Sequence, residues 1–314
     1  MFLCCGDALY DLFVGESEHN DDVKSAVTLS GNVGGSPMNV AAGLARLGHH
    51  SHYFTKLSSD LFGRRMRRYL DHNKVDCSLS LNTDLNTTLA IVETNDDGSA
   101  NYVFYTDNTA DVSIAESELP ATLSEDLRVV HFGSYSTAVE PTGGSLLALA
   151  QRETKKRIIS YDPNLRPTIE PDVDKWRAVF AGLASTANLI KASDEDIETL
   201  LGKNREEQFV ADCFSHGAEL VFITRGPDGA SGFKPDGQTV QVPGVAVSVV
   251  DTVGAGDTFQ AATLHWLHKE GHLAGANSLV GDVDLEASMA FAIKAAALTC
   301  TRSGADLPYL SELN

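Results

Sequence analysis

Strand-like and helical stretches alternate along this chain, which predicts an α/β fold: a doubly wound, mostly parallel sheet with helices on both faces, three layers in all. Two further observations agree. The polar and glycine-rich clusters fall at the ends of the strand-like runs, where open α/β sheets bind ligands. The 314 residues suit one large α/β domain or two small ones, with room for a sizeable core.

The start, "MFLCCGDALYDLFV", is apolar but carries Asp7 and Asp11 and no basic stretch. It reads as a buried first strand ("FLCC") and not as a secretory leader. Residues 12–33 hold no clear helix. "NVAAGLARLG" then places Val40, Leu44 and Leu47 on one helical face. "SHYFTKL" reads as a strand and "DLFGRRMRRYLDHN" as a helix. Residues 87–106, "TTLAIVETNDDGSANYVFYT", break the rhythm; two β-rich runs around "NDDG" predict a hairpin. β segments outside a doubly wound core suggest a lid. The alternation resumes with "VVHFG" (strand), "GGSLLALAQRETKK" (helix), "RIISYDP" (strand) and "DKWRAVFAGLAS" (helix). "ANLIKAS" (strand), "REEQFVADCFSHG" (helix) and "ELVFITRG" (strand) follow. Near the end, the strand-like run "VAVSVV" precedes a turn and the helix "FQAATLHWLHKE". An Ala-rich helix, "LEASMAFAIKAAALTC", comes last.

The formal net charge of −19 repels DNA, RNA and anionic lipid, so no nucleic-acid or membrane partner is expected. No apolar run approaches the ~18 residues of a membrane span. Five cysteines, an odd number without metal-binding spacing, fit reduced thiols and a cytoplasmic protein.

The stretch "DTVGAGDTF" (251–259) admits two readings. One is a loop whose aspartate caps a helix. The other is an anion cradle, in which glycines let backbone N–H groups converge at a helix N-terminus that favours negative charge. Five more clusters lie at strand ends: "GDALYD" (6–11), "GNVGGSPMN" (31–39), "DPNLR" (162–166), "KASDED" (191–196) and "TRGPDG" (224–229). The dinucleotide fingerprint GxGxxG is missing from the first strand–helix turn, which disfavours a dehydrogenase.

Taken in this order, the clusters resemble the ribokinase-like (PfkB) family of carbohydrate kinases, over nearly the whole chain. "DTVGAGDTF" and "GGSPMNVAAGLARLG" match that family's two signatures. The resemblance implies a ribokinase-like kinase domain over 1–314, with a small β lid from segments 12–33 and 87–106. It implies Asp257 as the base that takes the proton of a sugar hydroxyl, and Gly254, Ala255 and Gly256 as the anion hole. Asp11, Gly34, Gly35 and Asn39 match sugar ligands. Lys191, Thr224, Gly226 and Gly229 match the ATP-phosphate site, and Ala297 and Cys300 the adenine flank. Magnesium is expected to ride on ATP. Where many members carry Asn-x-x-Glu near it, this chain has Ser193-x-x-Asp196, so Asp196 stands either as a water-mediated magnesium ligand or as a helix-end charge. The family often holds potassium between the loop opened by Asp251 and the loop at Thr299–Gly304. Such lids often pair two subunits, so a homodimer is expected.

For the sugar, "DPNLRP" with Arg166 is similar to fructokinases and to 2-keto-3-deoxygluconate kinases. "YVFYTDNTAD", in which Phe104 would cap the sugar, and "CTRSGA" are more similar to fructokinases. Acid-sugar kinases tend to place arginine after the aromatic pair, where this chain has Thr106. Fructose is therefore the expected substrate. 2-Keto-3-deoxygluconate or ribose, and a non-catalytic sugar- or nucleotide-binding regulator, stay as alternatives.

Overall fold

The computed structural model describes residues 1–15, 27–94 and 100–313. In chain order, β1 (Phe2–Cys5), β2 (Leu9–Val14) and β3 (Leu29–Gly34) lead to α1 (Ser36–Arg46). Then come β4 (Ser51–Phe54), β5 (Lys56–Ser58), α2 (Leu61–His72), β6 (Leu81–Thr83), β7 (Thr88–Thr94) and β8 (Ala100–Tyr105). The alternating part runs β9 (Val129–Gly133), α3 (Thr142–Glu153), β10 (Ile158–Asp162), α4 (Val173–Ala184), β11 (Leu189–Ser193), α5 (Asp194–Leu201), α6 (Glu206–Ser215) and β12 (Leu220–Thr224). It ends with β13 (Ala230–Phe233), β14 (Thr239–Val242), α7 (Ala255–Lys269) and α8 (Leu285–Cys300).

The main sheet has eight strands in the order β14-β13-β12-β11-β10-β9-β1-β4. The six from β12 to β4 are parallel, and β13 and β14 add an antiparallel edge. Strand period decides the layers. Phe2 and Cys4 face one core, with Val40 and Leu44 of α1, Phe259 and Leu264 of α7 and Met289 of α8. Leu3 and Cys5 face the other, with Leu146 of α3, Trp176 of α4, Leu200 of α5 and Phe209 of α6. Both sides of each central strand are thus buried, which is why these strands read as continuous apolar runs.

The two segments that broke the rhythm build one small sheet, β3-β2-β7-β8. β2 pairs antiparallel with β3 and parallel with β7, and β7 pairs antiparallel with β8, Leu89 opposite Tyr105. The expected "NDDG" turn lies outside the described residues, as does the middle of segment 12–33.

Two local expectations are corrected, and one helix was not anticipated. "SHYFTKL" is two strands, β4 and β5, which join different sheets. "VAVSVV" joins no ladder: Val245, Val249 and Val250 are 51%, 62% and 64% exposed. β propensity measures fit to a pleated, half-buried surface, and this run, past the edge strand β14, has no such surface beside it. The stretch "DEDIETLL" forms a helix, α5, started by a capping box between Ser193 and Asp196. No helix among the described residues is long and apolar enough to cross a membrane.

Candidate active site

A cleft of about 610 Å³ opens where β1, β10, β11 and β12 end and the small sheet overhangs. Among its lining residues are Asp11, Gly35, Asn39, Phe104, Arg166, Lys191, Asp196, Thr224, Gly226 and the turn from Gly254 to Asp257. Residues far apart in the chain converge here because parallel strands all end on the same side.

The turn before α7 needs glycine at Gly254. Its φ is +79°, and a Cβ there would meet Ala305 Cβ at 2.6 Å and Ala305 Cα at 2.9 Å. At Gly256 a Cβ would stand 3.0 Å from Lys191 Nζ. The amide of Ala255 donates to Thr252 O at 3.2 Å. The amides of Gly254, Gly256 and Asp257 have no partner among the described residues and stand at a helix N-terminus, where the free N–H groups and the dipole favour an anion.

Asp257 lies in the first turn of α7 and is buried. Its Oδ1 accepts from Ser36 Oγ at 2.6 Å and its Oδ2 from Asn39 Nδ2 at 2.8 Å. Both donors sit in the first turn of α1, so α1 orients the carboxylate of α7. Ser36 was not anticipated: beside Gly35 and Pro37 it reads as an ordinary helix start. Asn39 Oδ1 is buried without a partner among the described residues, an acceptor left for a ligand. Gly35 caps α1 at φ +121°, where a Cβ would meet Asp7 O at 2.3 Å.

Asp11, on β2, faces the cleft. Burial raises its carboxyl to about 6; Arg166 pulls it down and Asp251 and Asp257 push it up. Gly34 does not line the cleft, but a Cβ there would lie 2.4 Å from Asp11 Oδ2, so its missing side chain makes room for that carboxylate. Phe104 lines the cleft from β8, its ring centroid 6.5 Å from that of Tyr135. Arg166 uses Nη1 on the carbonyls of Asn164 and Leu165, at 3.3 and 2.8 Å.

Beneath these residues is a buried polar layer that sequence reasoning missed. Asp7 accepts from Ser136 Oγ and Ser36 N, and burial, helped by Asp111, pushes it up to about 7. Asp111 accepts from Thr88, Tyr135 and Ala8 N, tying the base of the small sheet to the main one. "GD" and "AD" are too short to signal such a network.

At the other end, Lys191 donates to Asp162 Oδ2 at 2.8 Å, both side chains buried. Burial raises Asp162 to about 6 against the pull of Lys191. Burial opposes the charge on Lys191, but Asp162, Asp196 and Asp257 together raise its pKa. Asp196 spends Oδ2 on the Ser193 amide and hydroxyl and Oδ1 on Leu165 N. Thr224 and Gly226 line the cleft, whereas Gly229, at φ +93°, is confined by Val242 O and shapes the turn from behind. Ala297 and Cys300 are half-buried on α8, outside the lining. Cys300 O accepts from Val250 N and Asp251 N. The Asp251 carboxylate joins two loops, accepting from Val253 N at 3.0 Å and Gly304 N at 2.8 Å.

A buried carboxylate beside free amides at a helix start suits proton removal from a hydroxyl next to a transferring anionic group. Comparison with known proteins agrees with that chemistry. The chain is 37% identical over 264 residues to a fructokinase of Rhizobium leguminosarum bv. trifolii, covering 84% of this chain and 78% of the relative. A fructokinase of Vibrio cholerae O395 in fructose, ADP and calcium ion bound form superposes with a TM-score of 0.82 at 25% identity, covering 99% of this chain and 97% of that one. A double mutant of that protein in fructose, ADP and potassium ion bound form gives 0.81 at 26%, covering 99% and 96%. The model of the pfkB family carbohydrate kinases matches residues 1–312, and the chain belongs to that family.

Proposed function

We propose that this protein is an ATP-dependent fructose kinase, a single ribokinase-like unit that phosphorylates the terminal (6-) hydroxyl. The carrying observation is Asp257, held by Ser36 and Asn39 beside the free amides that begin α7. In the proposed reaction the hydroxyl lies between Asp257 and the γ-phosphoryl group of ATP. Its proton passes to the Asp257 carboxylate, its oxygen bonds to the γ-phosphorus, and the bond to the bridging oxygen breaks, releasing ADP. The amides of Gly254, Gly256 and Asp257 stabilise the charge on the transferred group. Lys191, 3.0 Å from where a Gly256 Cβ would stand, adds a cation at the same place.

Magnesium, carried on the ATP phosphates, would neutralise charge on the transferring group. Asp194 and Glu195 line the cleft and suit water-mediated contact with it; Asp196, with both oxygens bonded to the protein, positions that loop. On the adenine side, Thr224 and Gly226 serve the phosphates, and Ala297, Cys300 and the exposed valines of 245–250 serve the base.

Fructose is preferred because a buried substrate carboxylate needs cationic hydrogen-bond partners. Thr106 stands where an acid-sugar kinase tends to offer one, and Arg166 has committed Nη1 to backbone carbonyls. Fructose is expected to exceed 2-keto-3-deoxygluconate in kcat/KM by at least ~10-fold, which needs only ~1.4 kcal/mol of differential transition-state binding. A panel of sugars followed by ADP release tests this, and a ratio at or below one makes the acid-sugar kinase the better reading.

Potassium is proposed at the junction of the Asp251 and Gly304 loops, where it would order the anion hole without touching substrate; the potassium-bound relative supports the idea. Activity is expected to be higher in potassium than in sodium at matched ionic strength, and equal rates refute it. The small sheet leaves Leu29 on β3 and Val103 and Tyr105 on β8 exposed on its two edge strands, which favours pairing with a second copy. Light scattering at micromolar concentration is expected to give a homodimer, and a monomer mass sinks that expectation.

A further inference from the structure

A second cavity, of about 550 Å³, lies outside the active-site cleft, bounded by α2, α1, β2, β3 and the loop after α8. Arg65, Arg68 and His72 of α2 line it at the three- and four-residue spacing that puts side chains on one helical face. Arg46 lines it from α1, its side chain 8% exposed and bonded to Asp306 at 2.7 Å and to Asn73 and Leu307 O. Asp306 is the lining carboxylate, already shared with Arg302. Arg65 donates Nε to Tyr10 Oη at 3.2 Å and no more, and Arg68 has no hydrogen-bond or ion-pair partner among the described residues.

The charge balance is unusual for this chain. It holds 24 Lys and Arg against 43 Asp and Glu, yet three arginines and a histidine meet one carboxylate in this concavity. A concave wall of one sign focuses potential. Guanidinium forks match phosphate oxygens in pairs, and the Tyr10 and Tyr69 hydroxyls and the Asn32 amide add neutral donors. The volume is that of a small-molecule site, and the net charge of −19 over the whole chain repels a nucleic-acid strand.

We propose that this cavity binds a phosphate-bearing small molecule. Its walls reach both ends of the catalytic cleft. Gly304, on one wall, donates to the Asp251 carboxylate, which in turn holds Val253 beside the anion hole. Asn32, on another, is opposite Asp11 in the β2–β3 ladder.

The test is isothermal titration calorimetry of the full chain, its catalytic cleft saturated with fructose and ADP, with inorganic phosphate and, separately, with glycerol 3-phosphate; the two probes distinguish free phosphate from a phosphomonoester. Saturable binding of at least one probe is expected, weakened at least tenfold by Arg65→Ala with Arg68→Ala. Both residues are exposed, so the thermal midpoint of the pair is expected to stay at the wild-type value. Arg65→Lys with Arg68→Lys, which keeps the charge, is expected to bind more tightly than the alanine pair. Absence of saturable binding, or equal affinity in wild type and the alanine pair, overturns the proposal.

Discussion

Replacing Asp257 with asparagine is expected to lower kcat by at least ~10²-fold while ATP still binds. The substitution keeps the shape of the side chain but removes the proton acceptor. It also turns one acceptor into an NH₂ group that faces Ser36 Oγ or Asn39 Nδ2, both of which donate to the carboxylate in the native protein. The amides at the start of α7 and the Lys191 ammonium stay in place, so nucleotide affinity is expected to hold within a few-fold. Steady-state kinetics with an ATP-binding titration on the same preparation checks both halves. Near-normal turnover would remove Asp257 from its role as base.

Lys191→Met is expected to cost about 3–5 kcal/mol of stability near neutral pH, the usual penalty for breaking a buried ion pair. Asp162 would keep its carboxylate in the interior with Oδ2 stripped of its partner and Oδ1 already without one among the described residues. The sign with pH follows from Asp162. Burial already raises its pKa to about 6, and loss of Lys191 removes the main force pulling it down. A group whose pKa is higher folded than unfolded destabilises as pH rises, so the deficit is expected to be small near pH 5 and to grow toward pH 8. Urea unfolding of the variant at the two pH values measures it. Adding Asp162→Asn, which removes the stranded charge, is expected to recover part of the loss. A pH-independent deficit would mean that lost packing, and not the charge, is the cause.

The two signatures are legible without coordinates because each is local. Gly254 and Gly256 with Asp257 form one turn and a helix start, and Gly35 with Asn39 another, so a few adjacent residues state the backbone chemistry. The α/β class was equally legible, since burial on both faces makes each central strand a continuous apolar run between amphipathic helices. Edge elements were not. β13 is four residues long and buried mostly through the small Ala230, Ser231 and Gly232, and β14, at the sheet edge, is half exposed, so both carry weak patterns, while "VAVSVV" has the pattern of a strand but no partner. What only the tertiary structure decided is which groups meet. Ser36 and Asn39 lie 221 and 218 residues before Asp257, and the Asp162–Lys191 pair spans two neighbouring strands. The Asp7–Asp111 layer and the arginine cavity likewise join segments that no local pattern links. A hydrogen bond or a charge pair depends on separation in space, and packing of the two cores, not spacing along the chain, fixes that separation.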